Sequence, residues 1–136
     1  MTEIQDSKQL EAAKLVKNFL RAMENRDLAA AADMMAEDAK IVFPGGKVFN
    51  NQEEMVTDAR GRYQWIKKAF EQIDTAALPQ GGIAVYIKGT LYGLNNFGVK
   101  FAGVRYIDRF VVKDGLIVSQ EVWNDLAESG VLTLTS

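Results

Sequence analysis

This 136-residue chain contains neither histidine nor cysteine, and only two prolines. Without cysteine there is no thiol nucleophile, no disulfide and no thiolate zinc site; without histidine there is no imidazole base or imidazole metal ligand. Proton transfer must then fall to Asp, Glu, Tyr, Lys or water. No apolar run approaches the roughly 20 residues that span a bilayer. The opening "MTEIQDSKQLEAAK" has no basic start followed by a hydrophobic block, so a cytoplasmic location is the expectation. A strong charge of one sign is missing too. The net charge is −2, and the 16 Lys and Arg are scattered rather than clustered, which argues against a nucleic-acid surface. No group of carboxylates has metal-ligand spacing, so neither a metal nor another cofactor is expected.

What remains is the composition of an ordinary globule, 48% hydrophobic and 25% charged, with no linker, repeat or low-complexity tract to divide it. A single domain over residues 1–136, with its ordered core at about 7–128, can bury about two-thirds of the surface its unfolded chain exposes. Leu10, Ala13, Val16, Leu20 and Met23, widened by Leu15 and Phe19, recur at helical spacing and predict a first helix from Asp6 or Ser7 to about Asn25. Asp27 is placed to cap a second, short helix, "LAAAADMMAED". "AKIVF" reads as a strand, turned by "PGG", with "KVF" returning. "NQEE" resembles a capping box on Asn51 and Glu54; the helix it opens would carry Met55, Ala59, Tyr63, Ile66 and Phe70 on one side. The rest is β: "EQIDTAAL", "IAVYIKGTLYG", "VKFAGVRYIDRFVV" and "LIVSQEVWNDL", separated by "PQGG", "LNNFG" and "KDG". Strands that meander after three helices predict an α+β fold, a curved antiparallel sheet wrapped around three N-terminal helices that form a single layer on its concave face.

The strand "VRYIDRFVV" poses a chemical question. Val104, Tyr106, Asp108, Phe110 and Val112 share one face, and a carboxylate within an apolar face costs several kcal/mol unless a partner or water meets it. Arg105, Ile107, Arg109 and Val111 share the other face, a mixture of guanidinium and apolar groups that suits a protein interface.

The segments "FLRAMENRDLAAAADMMAEDAKIVFPGG" and "GVRYIDRFVVKDGLIVSQEVWNDLAE" resemble the SnoaL-like branch of the nuclear transport factor 2-like superfamily, over about residues 8–128. That superfamily also holds ketosteroid isomerase, scytalone dehydratase and limonene epoxide hydrolase. The resemblance implies a cystatin-like α+β cone that encloses a pocket, and dimerisation through the outer side of the sheet. It specifies the fold better than the chemistry. The ketosteroid isomerase pattern places Phe43, Phe19 and Tyr106 at the positions of its catalytic groups, so a steroid isomerase of that mechanism is not expected. Scytalone dehydratase relies on histidines, which this chain lacks. The resemblance also implies that Phe19, Phe43, Tyr106 and Trp123 line the pocket, around a flat, largely apolar molecule.

Two readings of the chemistry follow. In the first, the chain is a cofactor-free enzyme, an isomerase, cyclase, dehydratase or hydrolase, with Asp108 as acid or base and Tyr106 as donor beside it. Glu121 is a second carboxylate on a strand expected to neighbour that of Asp108, and Phe19, Phe43, Tyr63 and Trp123 hold the ligand. This reading expects Asp108 to face the cavity with no Lys or Arg within salt-bridge distance; burial in an ion pair, or an outward orientation, favours binding or structure instead. In the second, the same pocket belongs to a non-catalytic ligand-binding domain or a dimerisation module.

Overall fold

The computed structural model describes residues 2–135, with side chains from residue 7 onward. Helix α1 (Thr2–Glu24) leads into α2 (Leu28–Asp33), β1 (Met35–Phe43), a single 3-10 turn and β2 (Lys47–Phe49). Then come α3 (Gln52–Arg60), β3 (Tyr63–Ala77), β4 (Ile83–Asn95), β5 (Lys100–Lys113), β6 (Leu116–Asn124) and the short α4 (Leu126–Ser129). The six strands form one sheet in the order β2-β1-β6-β5-β4-β3. Its pairs are antiparallel except β1 with β6, which run parallel, so the sheet is mixed rather than wholly antiparallel. The chain between these two strands, which holds α3 and the other four strands, supplies the long connection a parallel pair requires.

The caps follow the residues that announce them. Asp27 accepts from the Ala30 N–H at 3.2 Å, and Asn51 accepts from the Glu54 N–H at 2.9 Å. Glu54 reaches back to the N–H of Asn50, one residue earlier than the capping-box pattern implies. On α1 the buried stripe is Ala12, Val16, Phe19, Leu20 and Met23, whereas Leu10 lies outside it and is exposed. Strand β1 begins at Met35, inside the stretch expected to be helical, because α2 stops after Asp33.

The largest departure from the sequence reading lies between residues 61 and 70, where a helix was expected; "EQIDTAAL", expected as a strand, continues the same strand to Ala77. Helix α3 ends at Arg60 with Gly61 as its C-cap, and the residues expected to continue it form a 15-residue strand. Tyr63, Ile66 and Phe70 match a helical period by coincidence. The burial-driven alternation of Ile66, Lys68 and Phe70 against Trp65 and Lys67 is that of a half-buried strand. Glycine two residues before "YQWI" is the stop signal.

Two further glycines bend this strand around the helices. A Cβ on Gly89 would sit 1.9 Å from the Ala69 carbonyl oxygen, and one on Gly93 would sit 2.3 Å from that of Trp65. Both positions adjoin register shifts in the β3–β4 ladder, between Phe70 and Gln72 and between Tyr63 and Trp65. Bulges opposite glycines curl a sheet where straight strands would leave its concave side open. The concave side receives α1, and the core formed there joins Val16, Phe19 and Leu20 to Val85, Ile87, Phe110 and Ile117. Asn95, at the end of β4, is buried and accepts from the N–H groups of Phe97 and Val99 while donating to the carbonyls of Val131 and Leu134. It therefore ties the C-terminal segment to the wide end of the cone. Among the described residues, no helix is long and apolar enough to cross a membrane.

Candidate functional site

The inner face of the sheet is ordered in rows set by strand register. Lys68 of β3 lies beside Leu91, the next row is Phe70, Gly89, Tyr106 and Asn124, and the row after that is Ile73, Ile87, Asp108 and Val122. Phe110 and Gln120 follow. Lys68 is thus two rows from Asp108 and reaches it diagonally, across the row in which Gly89 presents no side chain. Its Nζ donates to Asp108 Oδ2 and lies 4.7 Å from the centre of the Tyr106 ring.

The backbone of Lys68 is clamped as well. Strand β3 is an edge strand, and the N–H and C=O groups of Lys68 that point away from β4 are taken up by α1. Glu24 Oε2 accepts the Lys68 N–H at 2.7 Å, and Arg21 Nη1 donates to the Lys68 carbonyl at 3.1 Å. Arg21 and Glu24 bind each other at 2.8 Å, and Arg21 stacks over Phe70 at 4.1 Å. An edge strand with unpaired peptide groups invites other chains; here a helix covers it and fixes one lysine in the process.

Asp108 is completely buried, whereas the Lys68 side chain retains 18% exposure. Burial pushes the Asp108 carboxyl above its usual range, against the opposing pull of the Lys68 charge. We take burial to prevail, because a carboxyl with no water contact and one oxygen without a partner has little else to stabilise its charge. Burial also raises the Tyr106 phenol far above the ordinary range, and the charge of Asp108 adds to it. Tyr106 is therefore a neutral hydroxyl at any physiological pH. Among the described residues, three buried side-chain atoms have no protein partner: Tyr106 Oη, Asp108 Oδ1 and Gln120 Oε1. Buried polar atoms are nearly always satisfied, by protein or by ordered water, so these three on adjacent strands make the inner face locally polar.

That place adjoins a cavity of about 130 Å³. Its apolar wall includes Leu20, Met23, Phe43, Met55, Tyr63, Ile66 and Leu91, and Lys68 and Gln120 are among its polar lining. A cavity of about 150 Å³ lined by Leu, Ile and Phe accommodates benzene, so the space suits a single ring. A larger hollow of about 660 Å³ lies at the opposite end, between α1 and the turns around Gly81 and Asp114. Its charged lining, Lys8, Glu11, Lys113 and Asp114, is solvent-exposed, and none of the three unpartnered atoms borders it.

Several expected site residues fall elsewhere. Asp108 points to the inner side of the sheet but does not line the cavity, and it has a partner, Lys68, so the expectation of a cavity-facing carboxylate free of cations is wrong. A helix continued through residue 70 turns Lys68 away from the pocket, whereas strand β3 turns it inward. Glu121 stands opposite Arg109 on the outer face, 3.6 Å from its guanidinium, and cannot form a carboxylate pair with Asp108, whose cross-strand neighbour is Val122. Trp123 is likewise on the outer face, half exposed and directly opposite Ile107. Strand alternation puts both with Arg109, and the assumed phase of β6 was off by one. Phe19 is fully buried in the core, edge-on to Phe110 at 6.0 Å, and does not line the cavity. Phe43 and Tyr63 do line it, the latter from a strand rather than a helix. The phenol ring of Tyr106 sits beneath Lys68 rather than in the wall. The four-ring pocket for a flat polycyclic molecule is thus replaced by a smaller one with two rings, methionines and a polar end. Gln120 was also missed; an amide alternating with Val118 and Val122 in a buried strand was its signal.

Comparison with known proteins bears on the fold. No curated protein matches the chain at a significant level. Among solved structures, the chain is similar to an NTF2-like protein from Burkholderia pseudomallei (16% identity, 91% of this chain and 98% of that one, TM-score 0.76). It is also similar to a polyketide cyclase-like protein from Xanthomonas campestris (17% identity, 92% and 98%, TM-score 0.71). A third similar structure is an LEH-like epoxide hydrolase from M. tuberculosis (20% identity, 91% and 90%, TM-score 0.70). At these identities the likeness is one of fold, an NTF2-like cone. The SnoaL-like domain family matches residues 16–120, and the chain, with its mixed sheet curled over α1, belongs to that family.

Proposed function

We propose that this chain is a cofactor-free enzyme acting on a small, single-ring or comparably compact apolar molecule that carries one carbonyl or hydroxyl group. The observation that carries this reading is the Lys68–Asp108 pair, whose lysine borders a cavity that has an apolar wall and a charged lining of Glu24, Arg26, Asp58, Arg62 and Lys67. The apolar wall would hold the ring, and the Lys68 ammonium would meet the oxygen as a donor. Asp108 would act through Lys68, taking or returning a proton along the hydrogen bond between them, and Gln120 Oε1 would accept from a ligand hydroxyl. Tyr106 would place a neutral hydroxyl beside developing negative charge. The names of the similar structures, a polyketide cyclase-like protein and an epoxide hydrolase, accord with proton chemistry on small molecules.

A second reading, a non-catalytic ligand-binding domain, is favoured by the complete burial of Asp108, which reaches the cavity only through its partner. Ligand-observed NMR with benzaldehyde and toluene tests both readings. The expected result is saturation by both rings, with benzaldehyde held about tenfold tighter, one hydrogen bond to a charged group being worth roughly 1.5 kcal/mol or more. Equal affinity would remove the polar end from the account, and no binding would remove the cavity.

We also propose a homodimer through the outer sheet face. Ile107 and Trp123 form an exposed apolar pair there, flanked by Arg105 and Arg109. Ile107→Asp should convert a dimer to a monomer in light scattering; a monomeric wild-type protein ends the proposal.

A further inference from the structure

The proposed function has Lys68 donate a hydrogen bond, but its surroundings allow a second chemistry. Lys68 is a primary amine whose peptide group is fixed on both sides by the Arg21–Glu24 pair. It is mostly buried, borders the cavity next to the apolar side chains of Ile66 and Leu91, and is hydrogen-bonded to a completely buried carboxyl group. Lysines used as nucleophiles need desolvation, a group to take their proton, and a fixed approach to the electrophile. All three are present at this one position. Lys88, exposed on the outer face of β4, has none of them; Lys67 borders the cavity but is exposed, and Lys47 has a carboxylate partner in Asp58 but is half exposed.

We infer that Lys68 is a Schiff-base-forming residue, and that the cavity takes aldehydes or ketones on a compact apolar frame. This rests on the reading of the cavity as a small-molecule site and names its substrate class. The step balances without any further reagent. Asp108 Oδ2 takes one proton from the Lys68 ammonium, and the freed nitrogen lone pair attacks the carbonyl carbon as the C=O π pair moves to oxygen. A second proton passes from nitrogen to that oxygen, giving a neutral carbinolamine. Asp108 then returns its proton to the hydroxyl, the C–O bond breaks, and water leaves as the nitrogen lone pair forms C=N. The product is an iminium cation that retains the single positive charge of the original ammonium and remains opposite the Asp108 carboxylate. The raised proton affinity of the buried Asp108 carboxyl makes its part as acceptor and donor accessible. An iminium at this position would acidify the C–H bonds next to it, a role consistent with isomerase, cyclase or lyase chemistry.

The test is reductive trapping on the wild-type protein. Benzaldehyde at low stoichiometry with cyanoborohydride is followed by peptide mapping of the N-benzylated lysines, with Lys88 as internal reference and Lys68→Arg as the variant. Arginine keeps a cation for Asp108 but forms no such adduct. The inference expects Lys68 to be labelled at least about tenfold faster than Lys88, through prior binding next to the amine. It also expects that fast phase to vanish in Lys68→Arg while Lys88 labels unchanged. Labelling of Lys68 no faster than Lys88, with toluene and benzaldehyde still binding by NMR, overturns the Schiff base and leaves the cavity reading standing. Absence of both labelling and binding overturns both. Because wild-type mapping gives the principal result, poor folding of the variant would not decide the matter.

Discussion

The two faces of β5 carry the same kinds of residue to opposite ends. Inward, Asp108 meets Lys68 in a pair that water scarcely reaches; outward, Arg105 meets Asp125 at 2.6 Å and Arg109 meets Glu121 at 3.6 Å, all of them solvent-accessible to some degree. Arg109 also donates to the Tyr86 hydroxyl at 3.0 Å. Successive residues of one strand thus hold ion pairs in very different dielectric surroundings. An exposed pair exchanges water for a partner at little net change, whereas a buried one has lost its hydration and depends on the partner remaining. The inner pair is therefore costly to build and costly to break.

Breaking that comparison begins with Lys68→Met. It leaves the Asp108 charge buried and alone, and about 3–5 kcal/mol of stability should be lost at neutral pH in urea unfolding. The loss should shrink on acidification, because a protonated Asp108 needs no cation. A loss under 1 kcal/mol would mean that water already reaches the carboxyl. Next comes Arg109→Met, which removes a partly buried cation from Glu121 and Tyr86 and should cost no more than about 1 kcal/mol. Arg105→Ala is expected to be smallest, a few tenths of a kcal/mol, since its side chain is 82% exposed. If Arg105 proved as costly as Lys68, the contrast between the faces would be false.

Much of this architecture was legible in the residues. The caps at Asp27 and Asn51, the turns at Pro44 and Asp114, and the alternation of β4 and β5 each depend on local chemistry. Asp108 stood out for the same reason, a charge out of place in an apolar period. The partner of Asp108 was not legible, since a diagonal contact between positions 68 and 108 depends on sheet curvature, and that in turn depends on bulges opposite Gly89 and Gly93. The false helix over residues 61–70 had a simpler cause. Tyr63, Ile66 and Phe70 fit a 3.6-residue period, and Gly61, which ends the real helix, was given too little weight. Glu121 and Trp123 failed through phase alone: the single-residue step that separates the faces of a strand decides whether a side chain meets ligand or solvent.

The account's central claim is that burial outweighs pairing at Asp108, leaving a carboxyl ready to exchange a proton with Lys68. Its most direct test is the stability of the wild type relative to Asp108→Asn as a function of pH. A carboxyl whose folded proton affinity exceeds its unfolded one contributes most below about pH 4, and that contribution is lost as pH rises through the folded value. The wild type should therefore lose stability relative to Asp108→Asn between pH 4 and 7. A relative gain over that range would show that Lys68 holds Asp108 as an ordinary salt-bridged carboxylate, and would contradict the proton-transfer role built on it.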